Sequence, residues 1–180
     1  MGKTLYSVTM SLDGFIAGPG GDMSWLTEHL GPDPAVDELV GEIGALLVGN
    51  RTFRGDDPHR GTDKEEKPFG GAWTGPQFVL THHIPDTPVP GVTFVDDLDS
   101  GVAAAKAAAG EKYVNILGAD VARQCLEAGV LDEILVFVAP VMLGDGVRLF
   151  SHPGGTNVRL ERVALNHVPH ATSIRFRVVG

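Results

Sequence analysis

The sequence predicts an α/β protein: a mixed, mostly parallel sheet flanked by helices, with an antiparallel hairpin at its C-terminal end. Two observations favour this fold class. Short apolar runs typical of strands alternate along the chain with segments whose apolar residues have helical spacing. The last two apolar runs instead follow one another directly and alternate apolar with polar residues. With 180 residues, of which 43% are hydrophobic, we expect one domain over residues 1–180.

Strands are predicted where β-branched and aromatic residues form short runs, over residues 4–11, 45–49, 77–81, 92–95, 113–117 and 133–139. The last of these, "EILVFVA", does not alternate, so we expect a central strand that is buried on both sides. Helices are predicted over residues 34–44, 99–110 and 119–128. Asp33 is the expected N-cap of the first helix, and Asp99 or Ser100 that of the second.

Two alternating runs, "VRLERVAL" and "SIRFRVV", predict the antiparallel hairpin. The polar members of the second run are expected to face outward: Ser173, Arg175 and Arg177. In the first run the alternation changes phase near Glu161 and Arg162, which is typical of a β-bulge.

Composition excludes several classes of protein. The formal charge of −9 argues against a nucleic-acid partner, because a basic surface is what attracts nucleic acid. No apolar run is long enough to span a membrane, and the start of the chain lacks the apolar block of a secretory signal. The single cysteine, Cys125, rules out an internal disulfide and fits a cytoplasmic protein. The scattered histidines predict no metal site.

Three predicted strands end in residues suited to binding phosphate. Gly49 leads into Arg51 and Thr52, Thr81 leads into His82, and Gly118 opens a helix. In open α/β sheets, ligands bind beyond the carboxyl ends of the strands, near the N–H groups of helix N-termini. Each residue alone is also explained by turn chemistry or by an exposed position. Together they predict a dinucleotide site.

Other candidates lie in two loops. In "SLDGFIAGPGGDMSWL", Ala17 and Gly18 are small enough for a flat ring to lie against the backbone, and Trp25 suits the wall of a pocket. Asp13 in the same loop is either functional or a cap of that loop. Asp56 and Asp57 precede Pro58, and adjacent acids at that position equally indicate a turn whose side chains accept backbone N–H groups.

Three segments together resemble the reductase domain of the riboflavin-biosynthesis deaminase–reductase, which belongs to the dihydrofolate reductase-like superfamily. They are "SLDGFIA", "VGNRTFRGDDP" and "ILGADVARQCLEAGVLDEILVFVAPVMLGDGVRLF". The resemblance implies a dihydrofolate reductase-like fold and NADPH as cofactor. It implies that Gly49, Arg51 and Thr52 hold the adenosine side.

The resemblance assigns the remaining cofactor residues as well. Thr81 and His82 are placed at the 2′-phosphate, and Ala17 and Gly18 beside the nicotinamide. Ala119 and Asp120, which follow Gly118 in the third segment, are placed with it at the pyrophosphate. Because Asp120 is negatively charged, the alternative is that it points away and caps the helix.

The substrate side differs from that family. Ser7 stands where the riboflavin-pathway reductase carries a lysine, and Leu117 where it carries a glutamate. We therefore expect hydride transfer from NADPH to a C=N or C=O of a small heterocyclic or sugar-like molecule. Asp13 or Asp57, or water, is the expected proton donor. Trp25 and Arg60 are the candidate substrate contacts.

The sequence leaves two alternatives to this function open. One is a regulatory nucleotide-binding protein without turnover, and another is a reductase with a flavin or deazaflavin in the same cleft. A homodimer is expected by analogy and from the apolar strand and hairpin near the C-terminus.

Overall fold

The computed structural model describes all 180 residues and contains one eight-stranded sheet and one two-stranded ribbon. The strands are β1 (Thr4–Met10), β2 (Phe15–Ala17), β3 (Ile43–Gly49), β4 (Gln77–Leu80), β5 (Val92–Val95), β6 (Tyr113–Leu117), β7 (Glu133–Val138), β8 (Val147–Arg148), β9 (Arg159–Val168) and β10 (Ala171–Val179). The helices are α1 (Pro34–Glu42), α2 (Asn50–Phe53), α3 (Leu98–Ala109) and α4 (Ala119–Glu127).

The main sheet has the strand order β5-β4-β3-β6-β1-β7-β10-β9. All pairs from β5 to β7 are parallel, whereas β10 runs antiparallel to both β7 and β9. The predicted fold class, a mostly parallel sheet with a C-terminal antiparallel hairpin, is confirmed. β2 and β8 form the separate ribbon, which no pattern in the sequence predicts.

Two apolar cores cover the two faces of the sheet. Successive side chains of a strand point to opposite faces, so Val114 and Ile116 of β6 share the core formed with α3 and α4. Leu5 and Leu46 belong to the other core, together with Leu39 of α1. Asn115 pairs in register with both leucines, so its side chain faces the side covered by α1.

The hairpin contains the predicted bulge and one error of prediction. The register of β9 against β10 shifts between Arg175 and Phe176, which leaves Val163 as the extra residue. Ser173 was expected to face outward, but it is only 2% exposed. The side chain of Arg175 is 14% exposed for the same reason, because the α1 side of the sheet is covered. That prediction assumed that the polar residues of an alternating strand face solvent. The assumption fails in a sheet that is buried on both faces.

The predicted N-cap is correct for α1 and wrong for α3. Asp33 caps α1 as expected, its carboxylate accepting from Ala35 N at 2.9 Å. The cap of α3 is Asp97, which accepts from Ser100 N at 2.8 Å, so the prediction of Asp99 or Ser100 is wrong. α3 begins at Leu98, one turn earlier than its alanine-rich part suggests. No helix in the chain is both long enough and apolar enough to cross a membrane.

Candidate active site

Three of the predicted loops meet at one edge of the sheet. Gly49 is level with Leu80 in the β3–β4 register, and Val48 is level with Leu117 in the β3–β6 register. Since these strands are parallel neighbours, the residues that follow them lie side by side at the carboxyl edge. Gly49, Thr81 and Gly118 therefore converge, as the sequence predicts.

Gly118 lies directly against the first loop. A Cβ built on Gly118 would come 2.7 Å from Thr52 Oγ1 and 3.5 Å from Gly49 N. Its φ of +114° is one that other residues rarely adopt. A Cβ on Gly49 would in turn lie 3.2 Å from Val121 Cγ2 of α4. Gly118 is thus required for the β3 loop and α4 to approach each other, and Gly49 adds to the close contact.

The N-terminus of α4 is open to a ligand. Its N-cap is Gly118, and no side chain caps its first-turn amides, which include those of Ala119 and Asp120. The Asp120 carboxylate accepts from Arg123 at 2.8 Å and from Gln124 at 2.8 Å, so the alternative that it caps the helix is wrong. Those contacts, with the nearby charge of Arg51, hold the pKa of Asp120 below its usual range.

The cationic and hydroxyl groups of this edge differ in their exposure and in whether they already have a partner within the chain. Arg51 and Thr52 are exposed, and Arg51 makes no ion pair. The Thr81 hydroxyl is instead used in a local turn, accepting from His83 N at 3.2 Å, and Thr81 is 4% exposed. His82 beside it is exposed. The guanidinium is the group best placed to meet an anion here.

The backbone of residues 17 and 18 packs closely against the segment that leads into β8. Ala17 and Gly18 are buried where β2 pairs with β8. A Cβ on Gly146 would lie 2.0 Å from Ala17 O and 2.9 Å from Gly18 Cα. The missing side chain of Gly146 therefore makes room for the backbone of residues 17 and 18.

The Asp13 carboxylate connects two loops by hydrogen bonds. Its carboxylate accepts from the Ser11 hydroxyl, from Leu143 N at 3.1 Å and from Gly144 N at 2.7 Å. These bonds, above all that from Ser11, lower the pKa of Asp13 to about 2. A carboxylate that stays ionised far below neutral pH is a weak proton donor, so the geometry favours a role in positioning the loop.

The two acids after α2 behave as the turn alternative predicts. Asp57 accepts from His59 N at 2.8 Å and from Glu66 N at 2.6 Å. Asp56 accepts from Met23 N at 3.0 Å and pairs with Arg60 at 2.8 Å. Arg60 remains 70% exposed and is therefore still available to an anionic group.

A segment over residues 22–33, here called the strap, contacts the loop after α2 at one end and the hairpin at the other. It is held beside the β3 loop by the Met23–Asp56 bond and by Thr27 Oγ1, which donates to Pro58 O at 3.1 Å. At its other end a Cβ on Gly31 would lie 3.0 Å from the His170 ring in the β9–β10 turn. The strap therefore runs from the loop that follows α2 to the turn between β9 and β10.

Trp25 lies in the strap and carries an unusual group. Its indole Nε1 is buried but has no hydrogen-bond partner. Buried N–H donors are nearly always paired in folded proteins, so an unpaired one near the candidate site is a candidate ligand contact. Sequence reasoning found Trp25 but had no signal for the orientation of its N–H group.

A cavity of about 390 Å³ lies further along the same edge, beyond the end of β7. Its lining is mostly apolar and includes Leu12, Met142 and Pro169. None of the predicted site residues lines it. We therefore place the candidate active site by the convergence of the loops and not by cavity size. Nowhere in the chain do three His, Cys, Asp or Glu side chains gather as metal ligands would.

Solved structures of low sequence identity share this fold. A Shewanella sp. PV-4 protein assigned to riboflavin biosynthesis is 22% identical, with a TM-score of 0.75 and 99% of both chains covered. A deaminase/5-amino-6-(5-phosphoribosylamino)uracil reductase from Thermotoga maritima is 18% identical with a TM-score of 0.70, over 99% of this chain and 57% of that one. A riboflavin biosynthesis reductase from Saccharomyces cerevisiae is 17% identical with a TM-score of 0.60, over 99% and 90%.

Two proteins of Bacillus subtilis (strain 168) are related in sequence. The uncharacterized protein YyaP is 22% identical over 82% of this chain and 80% of its own. The uncharacterized protein YwjB is 26% identical over 82% of each. The model of the RibD C-terminal domain matches residues 3–173, nearly the whole sequence. The chain therefore belongs to the RibD C-terminal domain family, the reductase domain of riboflavin-biosynthesis enzymes.

Proposed function

We propose that the protein is an NADPH-dependent reductase that transfers hydride to a C=N or C=O of a small heterocyclic or sugar-like substrate. One observation carries the proposal most directly: the loops after β4, β3 and β6 meet at one edge, with a Cβ on Gly118 only 2.7 Å from Thr52 Oγ1. Membership of a reductase family supports the reaction type.

The residues of this edge suit a dinucleotide. The uncapped first turn of α4 offers amides to the pyrophosphate, and Gly118 lets it approach. The unpaired guanidinium of Arg51 suits a phosphate, with Thr52, Thr81 and His82 beside it. Ala17 and Gly18 are proposed beside the nicotinamide. When bound, NADPH supplies the hydride, and the chain orients it against the substrate.

The proton donor follows from the state of the acids. Both oxygens of Asp13 and of Asp57 accept hydrogen bonds, and Asp13 is ionised at neutral pH. Water at the cleft is therefore the proposed donor, with the two acids holding the loops in place. Trp25, through its unpaired N–H, and Arg60, through its exposed guanidinium, are proposed to contact the substrate.

Calorimetry and a substrate panel test this function. We expect NADPH to bind with measurable heat, and its absorbance at 340 nm to fall in the presence of a suitable pterin, aminopyrimidine or sugar imine. NADPH should also quench the fluorescence of Trp25, with Trp25→Phe as the control for the second tryptophan, Trp73. Quenching by a flavin but not by NADPH would reassign the cofactor. No heat with millimolar NADPH would refute the proposal.

A second candidate function is nucleotide binding without turnover. It is favoured by the hydrogen bonds of both candidate acids, which leave neither Asp13 nor Asp57 free as a proton donor. It predicts tight NADPH binding with no oxidation of NADPH by any member of the panel. The reductase proposal predicts oxidation with at least one.

We also propose a cytoplasmic homodimer that forms at the open end of the sheet. β9 is the edge strand, and Leu160, Val163 and Leu165 are 45%, 41% and 57% exposed. A long edge strand with exposed apolar side chains is a template for association. Light scattering of the wild type and of Leu165→Glu would test this, with the variant expected at the mass of a monomer.

A further inference from the structure

The Asp120 carboxylate belongs to the first turn of α4 but is bound one turn further along the helix. Its Oδ1 accepts from Arg123 Nη2 at 2.8 Å, and its Oδ2 accepts from Gln124 Nε2 at 2.8 Å. No side chain caps the N-terminus of α4. The open amides and a carboxylate able to accept from them therefore lie in the same turn, yet the two are kept apart.

This orientation runs against the local preference of an acid at the start of a helix. First-turn amides lack partners within the helix, and the positive end of the helix dipole attracts a carboxylate. The N-cap residue, Gly118, has no side chain to offer those amides. A carboxylate of Asp120 that was not held elsewhere would be a ready acceptor for them. It would then occupy the place proposed for the pyrophosphate.

Arg123, which holds Asp120, is itself held between two carboxylates. Its Nη2 binds Asp120 at 2.8 Å, its Nη1 binds Glu127 at 2.7 Å, and its side chain is only 32% exposed. His152, from the loop after β8, lies 3.1 Å from the other oxygen of Glu127. The two ion pairs raise the pKa of Arg123 and lower the pKa values of Asp120 and Glu127. All three groups are therefore charged at neutral pH.

The Asp120 carboxylate lies beside both groups proposed to bind the pyrophosphate. The charge of Arg51 is close enough to contribute to the low pKa of Asp120, although no ion pair joins the two. A Cβ on Gly118 would lie 2.7 Å from Thr52 Oγ1, so the loop that carries Arg51 is packed directly against this turn. A released carboxylate would compete with an anion for the amides and for the guanidinium.

We propose that Arg123 is a positioning residue: by binding the Asp120 carboxylate, it keeps the first-turn amides of α4 and the Arg51 guanidinium free for the pyrophosphate of the cofactor. The inference rests on the proposed cofactor site and adds a residue that acts there without touching the cofactor. Because Arg123 acts through Asp120, its effect requires the carboxylate. A direct attraction between Arg123 and the phosphates would not require it.

A double-mutant cycle tests whether the effect passes through Asp120. NADPH and inorganic pyrophosphate are titrated by calorimetry into the wild type, Arg123→Gln, Asp120→Asn and the double variant, at about 50 mM salt to limit screening. We expect Arg123→Gln to weaken both anions about two- to fivefold, the size of a carboxylate's interaction with a helix terminus. In the Asp120→Asn background the same change should have no effect. Equal losses in the two backgrounds would overturn the proposal.

Hydrogen exchange separates positioning from a merely structural role. In the cofactor-free Arg123→Gln protein, the first-turn amides of α4 should exchange more slowly than in the wild type, because the released carboxylate accepts from them. Faster exchange would mean that Arg123 only stabilises the helix, and would refute the proposal. Arg123→Lys keeps a cation for Asp120 and should restore most of the affinity.

Glu127→Gln is the matched control. It removes the other ion pair of Arg123 and leaves the contact with Asp120, so both affinities should stay unchanged. A loss as large as that of Arg123→Gln would contradict the proposal.

The two anions separate this inference from the reductase function. If pyrophosphate shows the coupled loss and NADPH does not bind, the cofactor assignment fails and the role of Arg123 stands. If NADPH binds and the losses are equal in both backgrounds, the role of Arg123 fails and the cofactor assignment stands. If neither anion binds the wild type, both are refuted.

Discussion

The polar groups at the amino edge of the central sheet are paired with one another, whereas several of those at the carboxyl edge are free. At the amino edge, Glu133 accepts from Tyr113 at 3.0 Å and from Arg175 at 2.8 Å, and Arg175 also binds Glu42. At the carboxyl edge, Arg51 has no partner and the first turn of α4 is uncapped. The first arrangement holds the sheet and helix α1 together. The second leaves donors free, which is what binding an anionic cofactor requires.

The largest effect should come from breaking the amino edge. Glu133→Ala leaves Arg175 without its most buried partner, and removing one member of a buried ion pair costs about 3 kcal/mol of unfolding free energy. Denaturant unfolding measures the loss. Glu161→Ala, which removes an exposed pair with Arg177, is the control and should cost about 1 kcal/mol or less. Equal losses for the two variants would contradict the contrast between the edges.

A methyl group added at the carboxyl edge should destabilise the protein nearly as much. In Gly118→Ala the new Cβ meets Thr52 Oγ1, and the alanine has to adopt a φ of +114°. We therefore expect a loss of roughly 2–3 kcal/mol in stability and weaker NADPH binding. Gly129→Ala is the matched control at the other end of α4, because its φ is +71° but nothing lies near the added Cβ. Only the Gly118 variant should weaken NADPH in calorimetry.

Removing the free guanidinium should affect binding without affecting folding. Arg51→Ala should weaken NADPH by about 1.5–3 kcal/mol, the range for hydrogen bonds to charged groups. Arg54, three residues later, already donates to Asn50 Oδ1 at 2.9 Å, so Arg54→Ala is the control with little change. An unchanged dissociation constant for Arg51→Ala would remove Arg51 from the site.

The smallest effect concerns acid stability. The pKa of Asp13 is about 2 in the folded chain, below the value of about 3.9 in an unfolded one. Its contribution to stability is therefore complete above about pH 4 and is lost as the pH falls towards 2. Unfolding of Asp13→Asn should depend less on pH in this range than the wild type, whereas Asp63→Asn, an exposed acid, should not differ. A large loss of turnover at neutral pH would instead favour a catalytic role for Asp13.

The strands and the bulge were predictable because their signals are local. The uninterrupted apolar run of β7 and the phase change in β9 are both properties of a few consecutive residues. The burial of Ser173 and Arg175 was not predictable, because it depends on α1, which lies far away in the chain. The same holds for Asp97, whose capping role depends on where packing makes α3 begin.

The candidate site was predictable in part. Gly49, Thr81 and Gly118 follow strands, and parallel strands bring their carboxyl ends together. The strap was missed, because it is defined by contacts with Pro58 and His170, distant in sequence.

The sequence by itself determined the class of fold and the loops that meet at the carboxyl edge, because periodicity and turn chemistry act over a few residues. Only the tertiary structure decided which polar groups are already paired. It used Asp13, Asp57 and Thr81 for local hydrogen bonds and left Arg51 and the indole N–H of Trp25 without partners. Pairing depends on distances between segments far apart in the chain, and those distances exist only after the sheet has assembled.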